Sequence, residues 1–245
     1  MPARWRILFA VGGIGWGVFG CAPAPLTLDD AMPPTEPAPS PSMGPIECPD
    51  GTVPIAATDV AYQGQVCARP DGVLHGVLHA TYPDGSPERE GRYEDGEKVG
   101  QWTWWDRDGR VNMQGRYQRD QKVGIWRSWS AGVLTEEGRY EDGEKVGSWS
   151  TWYAPDGQKK SEGDYHAGRK AGRWRRWHPN GQLAEDAVLV GGKYDGTVTV
   201  WHPNGQQARQ GDYVHDVQIG EWIWWDADGA VIKRQSYVDG GVAAP

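Results

Sequence analysis

Hydrophobic positions along the chain follow two patterns. At the amino end, Ile7 to Gly20 is an uncharged, mostly apolar stretch of 14 residues behind Arg4 and Arg6. A membrane-spanning helix needs about 20 apolar residues, so this stretch reads as the h-region of a secretory signal. Beyond a proline-rich stretch, large apolar residues return at fixed offsets from a glycine. With that glycine as position zero, it recurs at Gly76, Gly100, Gly124, Gly147, Gly172, Gly196 and Gly220, at intervals of 24, 24, 23, 25, 24 and 24 residues. Position +2 holds Leu78, Trp102, Trp126, Trp149, Trp174, Val198 and Trp222; position +5 holds Thr81, Trp105, Trp129, Trp152, Trp177, Trp201 and Trp225. Turn signals such as Pro83-Asp84-Gly85 and Pro179-Asn180-Gly181 follow near +9, where Asp-Gly and Asn-Gly supply the positive φ of tight turns. A second run, clearest as Gly91-Arg92-Tyr93 and Gly115-Arg116-Tyr117, leads to a second turn such as Glu94-Asp95-Gly96.

Two runs and two turns in one such interval leave about 6–8 residues per run, which is strand length. The pattern predicts an all-β chain: an elongated antiparallel meander of about seven β-hairpins, about 14 strands in a single-layer twisted sheet. Each hairpin is expected to start at its zero glycine and to be stabilised by its neighbours. The short and long intervals place a lost and a gained residue between the first strand and its turn, where register is not disturbed. Positions +2 and +5 fall on opposite faces of an extended strand, so Trp is expected on both faces unless a bulge intervenes. The fifth unit lacks Gly-x-Tyr and carries Val188, Leu189 and Val190 instead, which predicts an irregularity there.

Composition sharpens this picture. The 245 residues include 35 Gly and 15 Trp but only 2 Phe, which argues against helical bundles, doubly wound α/β folds and disorder. Net charge −8 disfavours nucleic acid as a partner. Residues 22–46, rich in proline, read as an extended tether. Cys48 and Cys67 form an even pair in an exported chain and read as a disulfide. They close residues 47–72 into a cap ahead of the array at 73–240, with 241–245 as a tail.

Two family resemblances add to this. Val18-Phe19-Gly20-Cys21 resembles the lipobox of bacterial lipoproteins. It implies cleavage before Cys21, lipidation of its sulfur and a lipid anchor in the cell envelope. With Ala22 next, the outer membrane is implied. The reading from the residues alone leaves an ordinary cleaved signal open. Tyr93-Glu94-Asp95-Gly96-Glu97-Lys98-Val99-Gly100-Gln101-Trp102 resembles the MORN repeat, in particular its bacterial variant. That family builds hairpin arrays for protein or membrane contact, and the variant is often labelled antitoxin-like.

No catalytic constellation appears, so no enzyme activity, cofactor or metal is expected. His178 and His202, each before Pro-Asn-Gly, read as turn residues, as do the Asp106-x-Asp108-Gly109 and Asp226-x-Asp228-Gly229 segments. The basic run from Arg169 to Arg176 reads as a solvated strand face. Trp102, Trp105, Trp126, Trp129, Trp149, Trp152, Trp174, Trp177, Trp201, Trp222 and Trp225 are the candidate binding surface, with packing as the competing role. The expected function is a non-enzymatic, lipid-anchored interaction scaffold whose partner is another protein or a cell-envelope polymer. The alternatives are an antitoxin- or immunity-like inhibitor and a glycan- or lipid-binding module.

Overall fold

The computed structural model describes residues 44–56, 63–154 and 156–243. The signal at 1–21, Cys21, most of the tether and the last two tail residues lie outside the described residues. Those residues form seventeen strands. β1 (Val53–Ala56) and β2 (Gln63–Ala68) come first. The seven hairpins are β3 (Leu74–Thr81) with β4 (Pro87–Glu94), β5 (Glu97–Trp105) with β6 (Val111–Gln118), β7 (Gln121–Ser130) with β8 (Val133–Glu141), β9 (Glu144–Trp152) with β10 (Lys159–His166), β11 (Arg169–Trp177) with β12 (Leu183–Val190), β13 (Lys193–Trp201) with β14 (Gln207–Val214), and β15 (Val217–Trp225) with β16 (Val231–Val238). The short β17 (Gly241–Val242) follows. Each strand pairs antiparallel with the next, giving one open meander.

The zero glycine does not start its hairpin. It lies inside the first strand, since β5 begins at Glu97 ahead of Gly100. Gly100, Gly124, Gly147, Gly172 and Gly220 have φ of 67°, 66°, 61°, 67° and 65°, a conformation that only glycine adopts freely. There the ladder skips: Gly138 pairs with Trp149 and Arg139 with Val146, so Gly147 and Ser148 have no partner on β8. This bulge recurs through the array. A second bulge lies near the other end of the strand. Trp104 pairs with Met113 and Trp105 with Val111, leaving Asn112 extra. Positions −2, +2 and +4 therefore share one face, and +5 lies on the other.

The bulges explain the glycine of Gly-x-Tyr. In five units that glycine lies under the +2 indole: Gly91 under Trp102, Gly115 under Trp126, Gly138 under Trp149, Gly163 under Trp174 and Gly211 under Trp222. A Cβ at any of them would fall inside the ring. The other two units lack both partners. Ala187 pairs with Val198, and Val66 with Leu78. Their zero glycines also differ, with φ of 117° at Gly196 and 124° at Gly76. The irregularity expected in the fifth unit is this exchange of a Gly–Trp rung for an Ala–Val rung. Strand pairing continues through it.

Loops absorb the length changes. The first turn of the first unit has three residues, closed by Tyr82 N–H to Ser86 O at 2.8 Å. The third unit turns on two residues, Ala131 and Gly132, between paired Ser130 and Val133. The fourth is longer, closed by Tyr153 N–H to Gln158 O at 2.8 Å. The second turns place both central residues at positive φ, as in Asp95 (52°) and Gly96 (87°), the type I′ geometry that matches strand twist. At the amino-terminal edge, Cys48 and Cys67 are disulfide-bonded. β1 and β2 extend the same sheet, and the Cα of Gly76 faces Cys67 and Pro49 so closely that a Cβ would meet their side chains at 2.7 and 2.8 Å.

Candidate functional site

The +2 tryptophans are packing residues by position. Trp102, Trp126, Trp149, Trp174 and Trp222 are 0–6% exposed. Each lies over a glycine on one side and against tyrosines on the other, as in Tyr117 to Trp126, 5.0 Å between centroids at 82°. Edge-to-face contacts of this kind add about 0.5–1.5 kcal/mol beyond burial. Indole N–H groups use the carbonyls that the bulge leaves free. Trp126 Nε1 donates to Arg116 O (3.2 Å), Trp149 to Arg139 O (3.2 Å), Trp174 to Asp164 O (3.0 Å) and Trp222 to Asp212 O (3.3 Å). The Trp102 Nε1 is buried without a partner, and nothing in the structure explains that exception. Ring contacts run from Tyr93 to Trp174 and again from Tyr194 to Tyr237. The aliphatic rung of the fifth unit separates the two runs.

The +5 tryptophans sit on the opposite face, beside the first turns. Trp105 is buried; Trp129, Trp152, Trp177, Trp201 and Trp225 are half-buried. Their carbonyls receive donors from position +6 of the preceding unit: Tyr82 Oη to Trp105 O and Tyr153 Oη to Trp177 O, both 2.9 Å. His178 and His202 have the same role, with Nε2 2.8 Å from Trp201 O and 3.0 Å from Trp225 O. The turn asparagines add a second link, Asn180 Nδ2 to Pro203 O and Asn204 Nδ2 to Ala227 O, both 2.6 Å. The middle of this face is a polar ladder, with Arg127 Nε on Glu137 at 2.6 Å and Arg173 Nε on Asp186 at 2.7 Å. The basic run thus divides: Arg173 and Arg175 pair here with acids, while Lys170 and Arg176 point to the aromatic face, where Arg176 lies 3.7 Å from Glu185.

One row on the aromatic face escaped the sequence reading. Position −2 holds Lys98, Lys122, Lys145 and Lys170 in four successive units. Each ammonium lies over the +2 ring of its own strand: 5.2 Å for Lys98 and Trp102, 4.1 Å for Lys122 and Trp126, 3.8 Å for Lys145 and Trp149, 4.1 Å for Lys170 and Trp174. Cation–π attraction holds them there. Burial pushes Lys122 and Lys170 below the ordinary lysine value; neighbouring cations add to the shift, while the charges of Glu136 on Lys122 and Glu185 on Lys170 oppose it. Burial raises the phenols of Tyr117, Tyr140 and Tyr165 in the same row. Tyr194 is pushed up to about 12 by burial and by Glu185, which accepts its hydrogen bond at 3.0 Å.

Charge is segregated. At the regularly paired positions of the aromatic face, Arg89, Arg176, Arg209 and Lys233 join the four lysines. Glu136 and Glu185 are the acids among them. Glu136 accepts from Lys145 Nζ at 2.6 Å. In the third and fourth units Ser128 and Thr151 replace the +4 tryptophan, Arg176 takes that position in the fifth, and a hollow of about 540 Å³ opens beside Glu136, Thr151, Ser161, Tyr165 and Lys170. No group of three or more metal-ligating side chains occurs among the described residues.

Residues 170–188 match the family model described as a MORN repeat variant. The matched span runs from Lys170 to Val188, across β11, its turn and most of β12, and so covers one of the seven hairpins. Among curated proteins, none matches the chain.

Proposed function

We propose that this MORN-repeat-bearing chain is a non-enzymatic, lipid-anchored protein of the bacterial cell envelope that acts as a protein-interaction scaffold. The observation that carries the reading is the unequal use of the two sheet faces. One face spends its large aromatics on packing and presents a row of half-buried cations; the other is a ladder of mutually paired polar groups. A cationic face that no described residue covers, on a chain of net charge −8, suits recognition of a macromolecule. MORN repeats generally serve as protein or lipid contact modules, which agrees with that use. Cys21 is the proposed anchor, the proline-rich stretch the proposed tether, and the outer membrane the proposed address. A glycan-binding alternative would have to use the half-buried +5 row, because the +2 ring faces are covered. An immunity-like role differs only in that the partner is a toxin.

Site-specific photocrosslinking in the native envelope tests this. A crosslinker at Ser128, on the aromatic face, is expected to trap one discrete protein partner, while one at Glu137 on the other face traps none. Cys21→Ser is expected to release the chain from the membrane fraction. Absence of any crosslink from Ser128, or membrane retention of Cys21→Ser, contradicts the proposal.

A further inference from the structure

We propose that the cationic face takes an acidic segment of a partner protein in polyproline II conformation, its carboxylates spaced every third residue along the row from Lys98 to Lys170. This rests on the scaffold reading and names the chemistry of the partner. Spacing is the first argument. Equivalent positions in successive hairpins lie two strands apart, about 9.6 Å. Polyproline II rises about 3.1 Å per residue with three residues per turn, so like-facing side chains recur every ~9.3 Å. Over the three gaps of the lysine row the two repeats stay within about 1 Å of each other. Same-face residues of a β-strand recur at about 6.8 Å, out of step with the row. A helix returns to one face about every 10.5 Å and drifts by nearly 3 Å over the same span.

Availability of charge is the second argument. The ammonium groups of Lys98, Lys122 and Lys170 lie over aromatic rings and form no ion pair among the described residues; Asp120 accepts only from the Lys98 backbone N–H, at 2.9 Å, and Glu136 and Glu185 act on Lys122 and Lys170 through their charge alone. Lys145 differs, being paired with Glu136. An incoming acid thus finds three open positions and one occupied by an internal acid. The third argument is the surface between the cations. Lys98 also lies 5.2 Å from the Tyr117 ring and Lys122 5.1 Å from the Tyr140 ring. Half-buried rings alternating with cations resemble the aromatic-lined grooves that bind polyproline II segments.

The test is fluorescence anisotropy with the full chain and two labelled peptides of identical composition. One is five repeats of Glu-Pro-Pro; the other gathers its glutamates into one block. The spaced peptide is expected to bind about tenfold more tightly at low salt and to weaken as salt is raised. Lys122→Gln with Lys170→Gln is expected to lose about tenfold in affinity, with the circular dichroism spectrum unchanged. Glu136→Gln frees Lys145 and is expected to tighten binding severalfold, an outcome that damage to folding cannot produce. Lys159→Gln, on the other face, is expected to leave affinity unchanged. Equal binding of both peptides, or no response to the lysine and Glu136 substitutions, overturns the inference. So does binding only to vesicles containing anionic phospholipid. If no peptide binds while Ser128 still crosslinks to an envelope protein, the acidic partner is wrong and the scaffold stands. Loss of both removes the scaffold too.

Discussion

Adding one methyl group at Gly138 should damage the array more than its size suggests. In most strands Gly→Ala is favourable by about 0.5–1 kcal/mol, because glycine is entropically poor there. Here the new Cβ would fall inside the Trp149 indole, with even the third-nearest ring atom, Cε3, at 2.5 Å, whereas ordinary contact starts at 3.4 Å. The indole must lift by roughly 1 Å or more, and overpacking of this kind costs about 1–3 kcal/mol. Lifting also breaks the Nε1 hydrogen bonds to Arg139 O and Val146 O, both 3.2 Å, for about 1 kcal/mol more. A net loss of about 2–4 kcal/mol is expected. Trp149→Val alone should lose a similar amount by leaving a cavity over Gly138. The double variant recreates the Ala187–Val198 rung that the chain already contains. It should lose far less than the sum, with a coupling of about 2 kcal/mol. Repeat arrays need not unfold in one step, so hydrogen exchange at the β8 and β9 amides is the assay of choice. A neutral or stabilising Gly138→Ala, or additive single and double losses, would refute the rung as a unit.

Other consequences follow from single contacts. Tyr194, raised to about 12, binds its proton more tightly folded than unfolded. Its contribution is therefore fully present below pH 10 and is lost as pH rises from 10 toward 12. Urea melts across that range should show the decline, and Tyr194→Phe should flatten its share of it. The Cys48–Cys67 bridge spans 19 residues, so Cys48→Ser with Cys67→Ser should cost about 3 kcal/mol by loop-closure entropy. Exchange should then rise in β1 and β2 and not in β15. His178→Ala should lose about 1 kcal/mol by freeing the Trp201 carbonyl. Added zinc should leave the melting temperature of the parent chain unchanged, and a zinc-dependent rise would show that a metal site had been overlooked.

Much of the fold is legible in the repeat because its period is carried by backbone-specific residues. Asp-Gly and Asn-Gly mark turns through positive φ, and a 24-residue interval leaves room for two strands and nothing longer. The short third loop and long fourth loop stand where the uneven spacing put them, since register tolerates no slip inside a strand. The zero glycine misled, because a glycine reads as a turn when it lies in a bulge. The Gly–Trp rung has a signal, a constant interval of 11 from Gly91 to Trp102 through Gly211 to Trp222, kept by Ala187 and Val198. That interval crosses a turn and a strand boundary, so no local periodicity displays it. The lysine row is equally visible as Lys two residues before four zero glycines. Its meaning depends on the bulge: alternation already puts −2 and +2 on one face, and taking two residues out of the ladder brings ammonium to ring. Burial of the +2 rings could not be read from spacing, because a single sheet face would leave them open without the glycine beneath.

The most direct measurement is the proton NMR spectrum of the five rung glycines. With an indole lying flat on each, the Hα resonances of Gly91, Gly115, Gly138, Gly163 and Gly211 should be shifted upfield by ring current. Each should show nuclear Overhauser contacts to the tryptophan eleven residues later. Glycine Hα signals in the ordinary range, with no contacts to those indoles, would contradict the account of how the hairpins are held side by side.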